Sequence, residues 1–139
     1  MSSIFQTQVI SLICGGVLDS FPDLKIVLLE SGVSWLPAML WRFDKNWKGL
    51  RREIPWVRSA PSEYVRRSMY LTTAPLDLPE DCDGLAGLVA QSGGDHMLLY
   101  SSDAPHDHGQ PSLMAQIESL PGDSARRILA GNARSLYRI

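Results

Sequence analysis

The residues best suited to chemistry follow a short apolar run, in the passage MLLYSSDAPHDH at positions 97–108. An apolar strand that carries polar side chains at its carboxyl end is typical of open and barrel α/β folds, which build active sites at that edge. The Asp103 carboxylate could accept a proton or bind a cation, and the His106 imidazole could donate or accept a hydrogen bond. The pattern therefore predicts a polar site at the end of this strand.

Simpler structural roles compete with each of these assignments. Asp103 could only turn the chain, because Asp often closes turns through its own side chain. His106 could be a solvated loop residue, and Asp107 and His108 favour a hydrated loop rather than a site. His96 precedes the strand, so we expect it at the opposite end of the sheet, away from any catalytic edge.

Three apolar runs, at 25–29, 69–73 and 97–100, are interpreted as strands. The first, KIVLL, lacks polar alternation, as expected of a strand covered on both faces in a parallel sheet. Segments with apolar residues at helical spacing separate the runs. A helix that connects two parallel strands of one sheet forms a right-handed crossover. We therefore predict an α/β fold with a parallel sheet, preceded and followed by helices. Three strands alone would leave two unpaired sheet edges that something must cover.

Composition limits the size and the class of the protein. The chain has 139 residues, of which 45% are hydrophobic and 20% charged, with a formal net charge of −2. These values predict one globular domain over residues 1–139, whereas a closed eight-stranded α/β barrel needs about 250 residues. No stripe of basic residues suits nucleic acid, and no apolar stretch suits a membrane. Two cysteines without a disulfide framework favour the cytoplasm.

Four passages carry a family resemblance. They are FPDLKIVLLESG at 21–32, the WLP and LWRFD segments at 35–37 and 40–44, SSDAPH at 101–106 and GNARSLY at 131–137. In this order and spacing they resemble the amidohydrolase-related metal-dependent hydrolases, a TIM-barrel group that includes the aminocarboxymuconate semialdehyde decarboxylase-like enzymes. The resemblance covers nearly the whole chain.

The resemblance implies the C-terminal portion of a barrel, from the fifth helix through strands six to eight and the closing helices. The expected fold is thus a partial TIM (β/α)8 barrel. In this mapping Asp103 matches the family's eighth-strand aspartate, which binds the metal and accepts a proton from metal-bound water. The family's His-x-His pair and its fifth-strand histidine have no counterpart in these residues. A divalent cation, zinc or manganese, is therefore expected in a parent enzyme. This chain alone is expected to bind the cation weakly or not at all.

The sixth-strand end departs from the family pattern, because Glu30 stands where many relatives have a histidine ligand. Glu30 could ligate a harder cation, bind substrate or pair with an arginine, and an ion-paired structural glutamate is the alternative. We predict that Glu30, His106 and Thr73 contact substrate around Asp103.

The resulting hypothesis is a metal-dependent hydrolase or decarboxylase of a small carboxylated or cyclic substrate, represented by its C-terminal portion and inactive alone. The alternative is a non-catalytic half barrel that self-associates or binds a ligand. Expected partners are a small molecule and either a second copy of the chain or a missing N-terminal half barrel.

Overall fold

A three-stranded parallel sheet forms the centre of the fold in a computed structural model, which describes residues 2–78, 84–106 and 113–139. The strands are β1 (Ile26–Leu28), β2 (Met69–Thr72) and β3 (Leu98–Leu99), and they lie in the order β1-β2-β3. Both pairs are parallel, with Val27 opposite Tyr70 and with β3 beginning opposite the third residue of β2. The predicted parallel α/β arrangement is confirmed.

Helices precede, connect and follow the strands, close to the ranges that the apolar spacing predicts. One difference is that the first predicted helix is split, because Gly16 adopts a left-handed conformation at φ 75° that suits glycine. The helices are α1 (Ser2–Cys14), α2 (Val17–Ser20), α3 (Leu36–Leu50), α4 (Pro61–Ser68), α5 (Gly84–Ser92), α6 (Leu113–Glu118), α7 (Ser124–Arg126), a π-helical turn (Arg127–Gly131) and α8 (Asn132–Tyr137).

Burial differs between the strands. In β2 and β3, Leu71 and Leu98 are fully buried, as a sheet covered on both faces requires. In β1, Ile26 and Val27 are only half-buried. The expectation of strands covered on both faces therefore holds for the inner part of the sheet and only partly for β1, which lies at an edge.

The outer edge of β3 is closed by the C-terminal helices, which supply the cover that the sequence analysis expected from other strands or a second copy. The side-chain amide of buried Asn132 donates to the Leu98 carbonyl (2.8 Å) and to the Asp95 carbonyl (2.6 Å). The Tyr100 amide donates to the Ile128 carbonyl in the π-helical turn (3.0 Å). Because buried backbone groups need partners, these bonds replace a neighbouring strand on this side.

The outer edge of β1 is open within the described part of the chain, where β1 pairs only with β2. Three large apolar side chains near this edge are exposed: Phe21 by 62%, Leu24 by 39% and Leu29 by 63%. An unpaired edge beside apolar surface is a natural place for another strand to add.

A buried tyrosine fixes α4 to the helices before β1. The Tyr64 hydroxyl donates to Asp19 (2.5 Å) and accepts the amides of Arg58 (2.9 Å) and Ser59 (3.2 Å). The Arg67 guanidinium lies 5.0 Å from the centre of the Tyr64 ring. Burial, and then the hydrogen bond to Asp19, raise the pKa of Tyr64.

Replacing this hydroxyl should destabilise the protein. We expect Tyr64→Phe to lower the free energy of unfolding by about 1–3 kcal/mol, because two amides lose a buried acceptor. Wild-type stability should be retained below about pH 10, the ordinary tyrosine pKa, and fall as the pH rises through the raised native pKa. Urea denaturation at several pH values measures both effects, with exposed Tyr137→Phe as the control. Equal stability of the two variants would contradict this role.

The β3 edge provides a second stability test. Asn132→Ala leaves the Leu98 and Asp95 carbonyls without the amide donor and should cost about 1–3 kcal/mol in urea denaturation. Asn46→Ala, at an exposed position of α3, should change stability by less than about 0.5 kcal/mol. A loss no larger than that of the Asn46 variant would show that the helices do not close this edge.

Candidate functional site

The carboxyl ends of the three strands lie at one edge of the sheet, joined by hydrogen bonds between side chains and backbone. At the first junction, the Glu30 amide donates to the Thr72 hydroxyl (3.0 Å). At the second, the Ser101 amide donates to the Thr73 hydroxyl (3.1 Å) and the Ala74 amide donates to the Ser101 hydroxyl (3.0 Å). These bonds hold the segments that carry Glu30 and the residues after β3 in fixed register with β2.

Asp103 lies two residues beyond Ser101, in a left-handed conformation at φ 55°. Its side chain is only 20% exposed, and its carboxylate lies 3.5 Å from the His106 imidazole nitrogen Nδ1. The His106 amide also donates to the Asp103 carbonyl (2.9 Å), which closes a short turn. The turn and the site interpretations are therefore compatible, since the turn itself holds the imidazole against the carboxylate.

His106 is the more exposed partner of this pair, because its side chain is 74% exposed. When protonated, it would form an ion pair with Asp103, and when neutral it has one donor nitrogen and one acceptor nitrogen. Such a pair can hold or release a proton at an edge that faces solvent. Asp107 and His108 lie outside the described residues.

Glu30 follows β1 and also has a left-handed backbone, at φ 55°. The residue is exposed, and its carboxylate makes no hydrogen bond or ion pair within the described ranges. A long side chain in a left-handed conformation costs about 1–3 kcal/mol, so the surrounding structure must enforce it. The bond from its amide to Thr72 supplies part of that restraint.

Thr73 is fully buried, and its hydroxyl accepts the Ser101 amide. This arrangement supports a positioning role for Thr73 beneath the segment that leads to Asp103. Its predicted contact with substrate stays a prediction. His96 lies at the other end of the sheet, with its ring nitrogen Nε2 3.2 Å from the Arg66 carbonyl, where the sequence placed it.

Asp77 is a site residue that sequence reasoning missed. Its carboxylate accepts the amides of Val33 (2.7 Å) and Ser34 (3.0 Å) and the Ser34 hydroxyl (2.6 Å). A β-carbon at Gly32, where φ is 68°, would collide with the same carboxylate. Asp77 thus ties the loop after β2 to the loop after Glu30. The separation of 43 positions between Ser34 and Asp77 concealed the pairing, although a glycine two residues after Glu30 is a signal of close approach.

A metal centre is incomplete in this part of the molecule. Across residues 2–78, 84–106 and 113–139, no three His, Cys, Asp or Glu side chains lie close enough to hold a cation together. Asp103 and Glu30 offer carboxylate oxygens, but a catalytic zinc normally has about three protein ligands. The described residues therefore do not fit a complete catalytic metal site.

Comparison with known proteins places this chain in a family. The model of the family described as Amidohydrolase matches residues 1–139. The chain belongs to the amidohydrolase family. This membership confirms the resemblance carried by the four sequence passages. Among the described helices of this amidohydrolase chain, none combines the length and the hydrophobicity that spanning a bilayer requires.

Among curated proteins, the amidohydrolase chain is similar to gamma-resorcylate decarboxylase of Polaromonas sp. strain JS666. The two are 25% identical over 137 residues, which covers 92% of this chain and 38% of the relative. The chain therefore spans about two fifths of the length of this curated relative.

Solved structures show the same partial coverage. The 5-carboxyvanillate decarboxylase of Sphingomonas paucimobilis has a TM-score of 0.70 and 29% identity, covering 96% of this chain and 39% of that one. A dihydroxybenzoic acid decarboxylase of Polaromonas sp. JS666, solved with manganese and the inhibitor 2-nitroresorcinol, has a TM-score of 0.75 and 24% identity, covering 99% and 40%. Structural neighbours of this kind are TIM barrels, and the fold of this amidohydrolase chain is part of one, as predicted.

The hydrogen bonds of the Asp77 carboxylate to Val33 and Ser34, here called the Asp77 clamp, can be tested in this amidohydrolase chain directly. We expect Asp77→Ala to lower the free energy of unfolding by about 1–2 kcal/mol, because a charged acceptor of three hydrogen bonds is lost at a solvent-accessible position. Hydrogen–deuterium exchange should become at least about tenfold faster at the Val33 and Ser34 amides. Asp23→Ala, also exposed, is the control. Unchanged exchange at both amides would contradict the clamp.

Proposed function

We propose that this chain forms part of the active site of a metal-dependent decarboxylase that acts on an aromatic carboxylic acid. The observation that carries the proposal is the largely buried Asp103 carboxylate, held beside His106 at the polar edge of a partial amidohydrolase barrel. The decarboxylase names of similar proteins support decarboxylation over hydrolysis. The substrate is proposed for a whole enzyme of which this chain is one part, since the chain spans 38% of the curated relative.

Decarboxylation of an aromatic acid replaces the carbon–carboxylate bond with a carbon–hydrogen bond, so a proton must reach the ring carbon as carbon dioxide leaves. In the proposed site, Asp103 is the catalytic group that holds and moves this proton, and the neighbouring His106 imidazole supports its charge. Glu30 and His106 contact the substrate from the exposed side of the edge. Thr73 is proposed to contribute from beneath, through the segment that it positions.

The proposed cofactor is a divalent cation, zinc or manganese, that binds to Asp103. Manganese in the dihydroxybenzoic acid decarboxylase supports a hard cation, which suits carboxylate ligands such as Asp103 and Glu30. Because the described residues do not complete a site, further ligands would come from other polypeptide, either a preceding part of a longer chain or a partner. We also propose a single domain over residues 1–139, a cytoplasmic location and self-association or pairing with an N-terminal half barrel.

A second candidate function is a non-catalytic half barrel that self-associates or binds a ligand. Two observations favour it: the open β1 edge beside exposed Leu29, and the incomplete metal set of the described residues. An edge strand of this kind can add a strand from another molecule.

A chimera distinguishes the two candidates. Residues 1–139 would replace the matching segment of gamma-resorcylate decarboxylase, and loss of gamma-resorcylate would be followed by absorbance in the presence of Mn²⁺. The decarboxylase proposal predicts measurable turnover, which Asp103→Asn should reduce by about 10²-fold or more, the usual contribution of a positioned acid or base. Asp23→Asn, away from the edge, should leave turnover unchanged.

Two results would contradict the catalytic role. One is an Asp103→Asn chimera that keeps the turnover of its parent chimera. The other is a folded chimera, confirmed by circular dichroism, that consumes no substrate at all, a result that would favour the non-catalytic half barrel.

A further inference from the structure

A cavity lies on the helical layer, and the candidate residues at the polar edge of the sheet do not line it. It is a groove of about 600 Å³ between α1 and α3. Its walls are largely apolar, with Ile10 and Cys14 from α1 and Trp35, Met39 and Phe43 from the α3 side. The volume falls within the about 300–1,000 Å³ typical of small-molecule sites, which are mostly apolar with a few polar groups. None of the residues proposed above for catalysis or substrate binding lines it.

The polar residues of this α1–α3 groove favour an anion. Arg42, Asn46 and Gln6 line it, and no acidic residue does so within the described part of the chain. Arg42 makes no hydrogen bond or ion pair to any residue in the described ranges. α1 contains no charged residue, so nothing on the facing helix neutralises the guanidinium. The groove therefore combines an apolar floor with one uncompensated positive charge.

We propose that the α1–α3 groove binds an aromatic carboxylate, at a site separate from the strand ends. The ring of such a ligand would lie against Trp35 and Phe43, since aromatic groups favour offset or edge contacts, and the sulfur of Met39 also suits a ring. Its carboxylate would lie at the Arg42 guanidinium, whose planar fork matches two oxygens. The charge of the groove and its aromatic lining select this ligand over a neutral or cationic one.

The groove is connected to the candidate site through one side chain. Trp35 is 8% exposed, lines the groove and donates from its indole nitrogen to the carbonyls of Ser31 (3.0 Å) and Gly32 (3.1 Å). These two residues directly follow Glu30. Trp35 is therefore both a wall of the groove and a positioning residue for the loop after β1, and its indole resonance reports on occupancy.

The first test is a titration of the full chain with 2-naphthoate. Calorimetry measures the affinity, and nuclear magnetic resonance monitors the nitrogen–proton signals of the indoles. We expect the Trp35 indole signal to shift more than that of exposed Trp41, which does not line the groove. Arg42→Gln should weaken binding of 2-naphthoate about five- to tenfold, because the ligand loses one charged hydrogen-bonding partner. Neutral 2-naphthamide should bind the wild-type chain more weakly than 2-naphthoate by a similar factor, for the same reason. Lys45→Gln, on the same helix but outside the lining, should bind 2-naphthoate like wild type.

Cys14 provides a second readout. Burial raises the pKa of its thiol, so at pH 7 it is protonated and should react slowly with iodoacetamide. In a Cys82→Ser background, where Cys14 is the remaining cysteine, saturating 2-naphthoate should slow the labelling further. Ala38→Trp, which places a large ring at a lining position, should abolish both binding and protection.

Three results would overturn the proposal: no Trp35 shift with 2-naphthoate, equal affinity of wild type and Arg42→Gln, or loss of binding in Asp103→Asn. The last would place the ligand at the strand ends instead. If Ala38→Trp fails to fold, as judged by circular dichroism, the Arg42 variant and the naphthamide comparison still decide the outcome. The test does not require turnover, so its failure and a failure of the decarboxylase proposal are separate results.

Discussion

Parallel pairing of three short strands, with hydroxyl-to-amide bonds between their carboxyl ends, determines where every candidate side chain lies. The Thr72 hydroxyl joins the end of β1 to β2, and the bonds of Ser101 to the Thr73 hydroxyl and the Ala74 amide join β2 to the segment after β3. β1 and β3 are only three and two residues long, so their backbone ladders supply few bonds. The side chains at the strand ends therefore help to fix the register of the strands, and the position of Asp103 depends on them.

The two outer edges of this sheet differ in whether their backbone groups already have partners, and this difference limits how the chain can associate. On the β3 side, Asn132 and the π-helical turn already bond the outward backbone groups, so an added strand would compete with them. On the β1 side, Leu29 is exposed and no described strand is present. Amidohydrolase relatives are TIM barrels of more than twice this length, and further strands are most easily accommodated beside β1.

Much of the fold could be predicted because its signals are local. The KIVLL run, the apolar stripe with Leu36 and Leu40, and the glycines after α5 indicate strands, helices and their ends without long-range information. The closed β3 edge could not be predicted, since it depends on a bond from Asn132 to Leu98 across 34 residues. The Asp77 clamp was missed for the same reason, and the Trp35 bonds require the geometry of one loop. At the site, residue types and strand ends indicated Asp103, Glu30 and His106, and the spacing of three residues already allowed a contact between His106 and Asp103. The burial of Thr73 emerges only in three dimensions.

The most direct measurement of the central claim is a nitrogen-edited nuclear Overhauser spectrum of the assigned chain. If the three strand ends form one joined edge, the Ser101 amide proton will show a cross-peak to the Thr73 side chain, and the Glu30 amide proton will show one to the Thr72 side chain. Assigned amides that lack both cross-peaks would contradict the account, because Asp103 and Glu30 would then have no common framework.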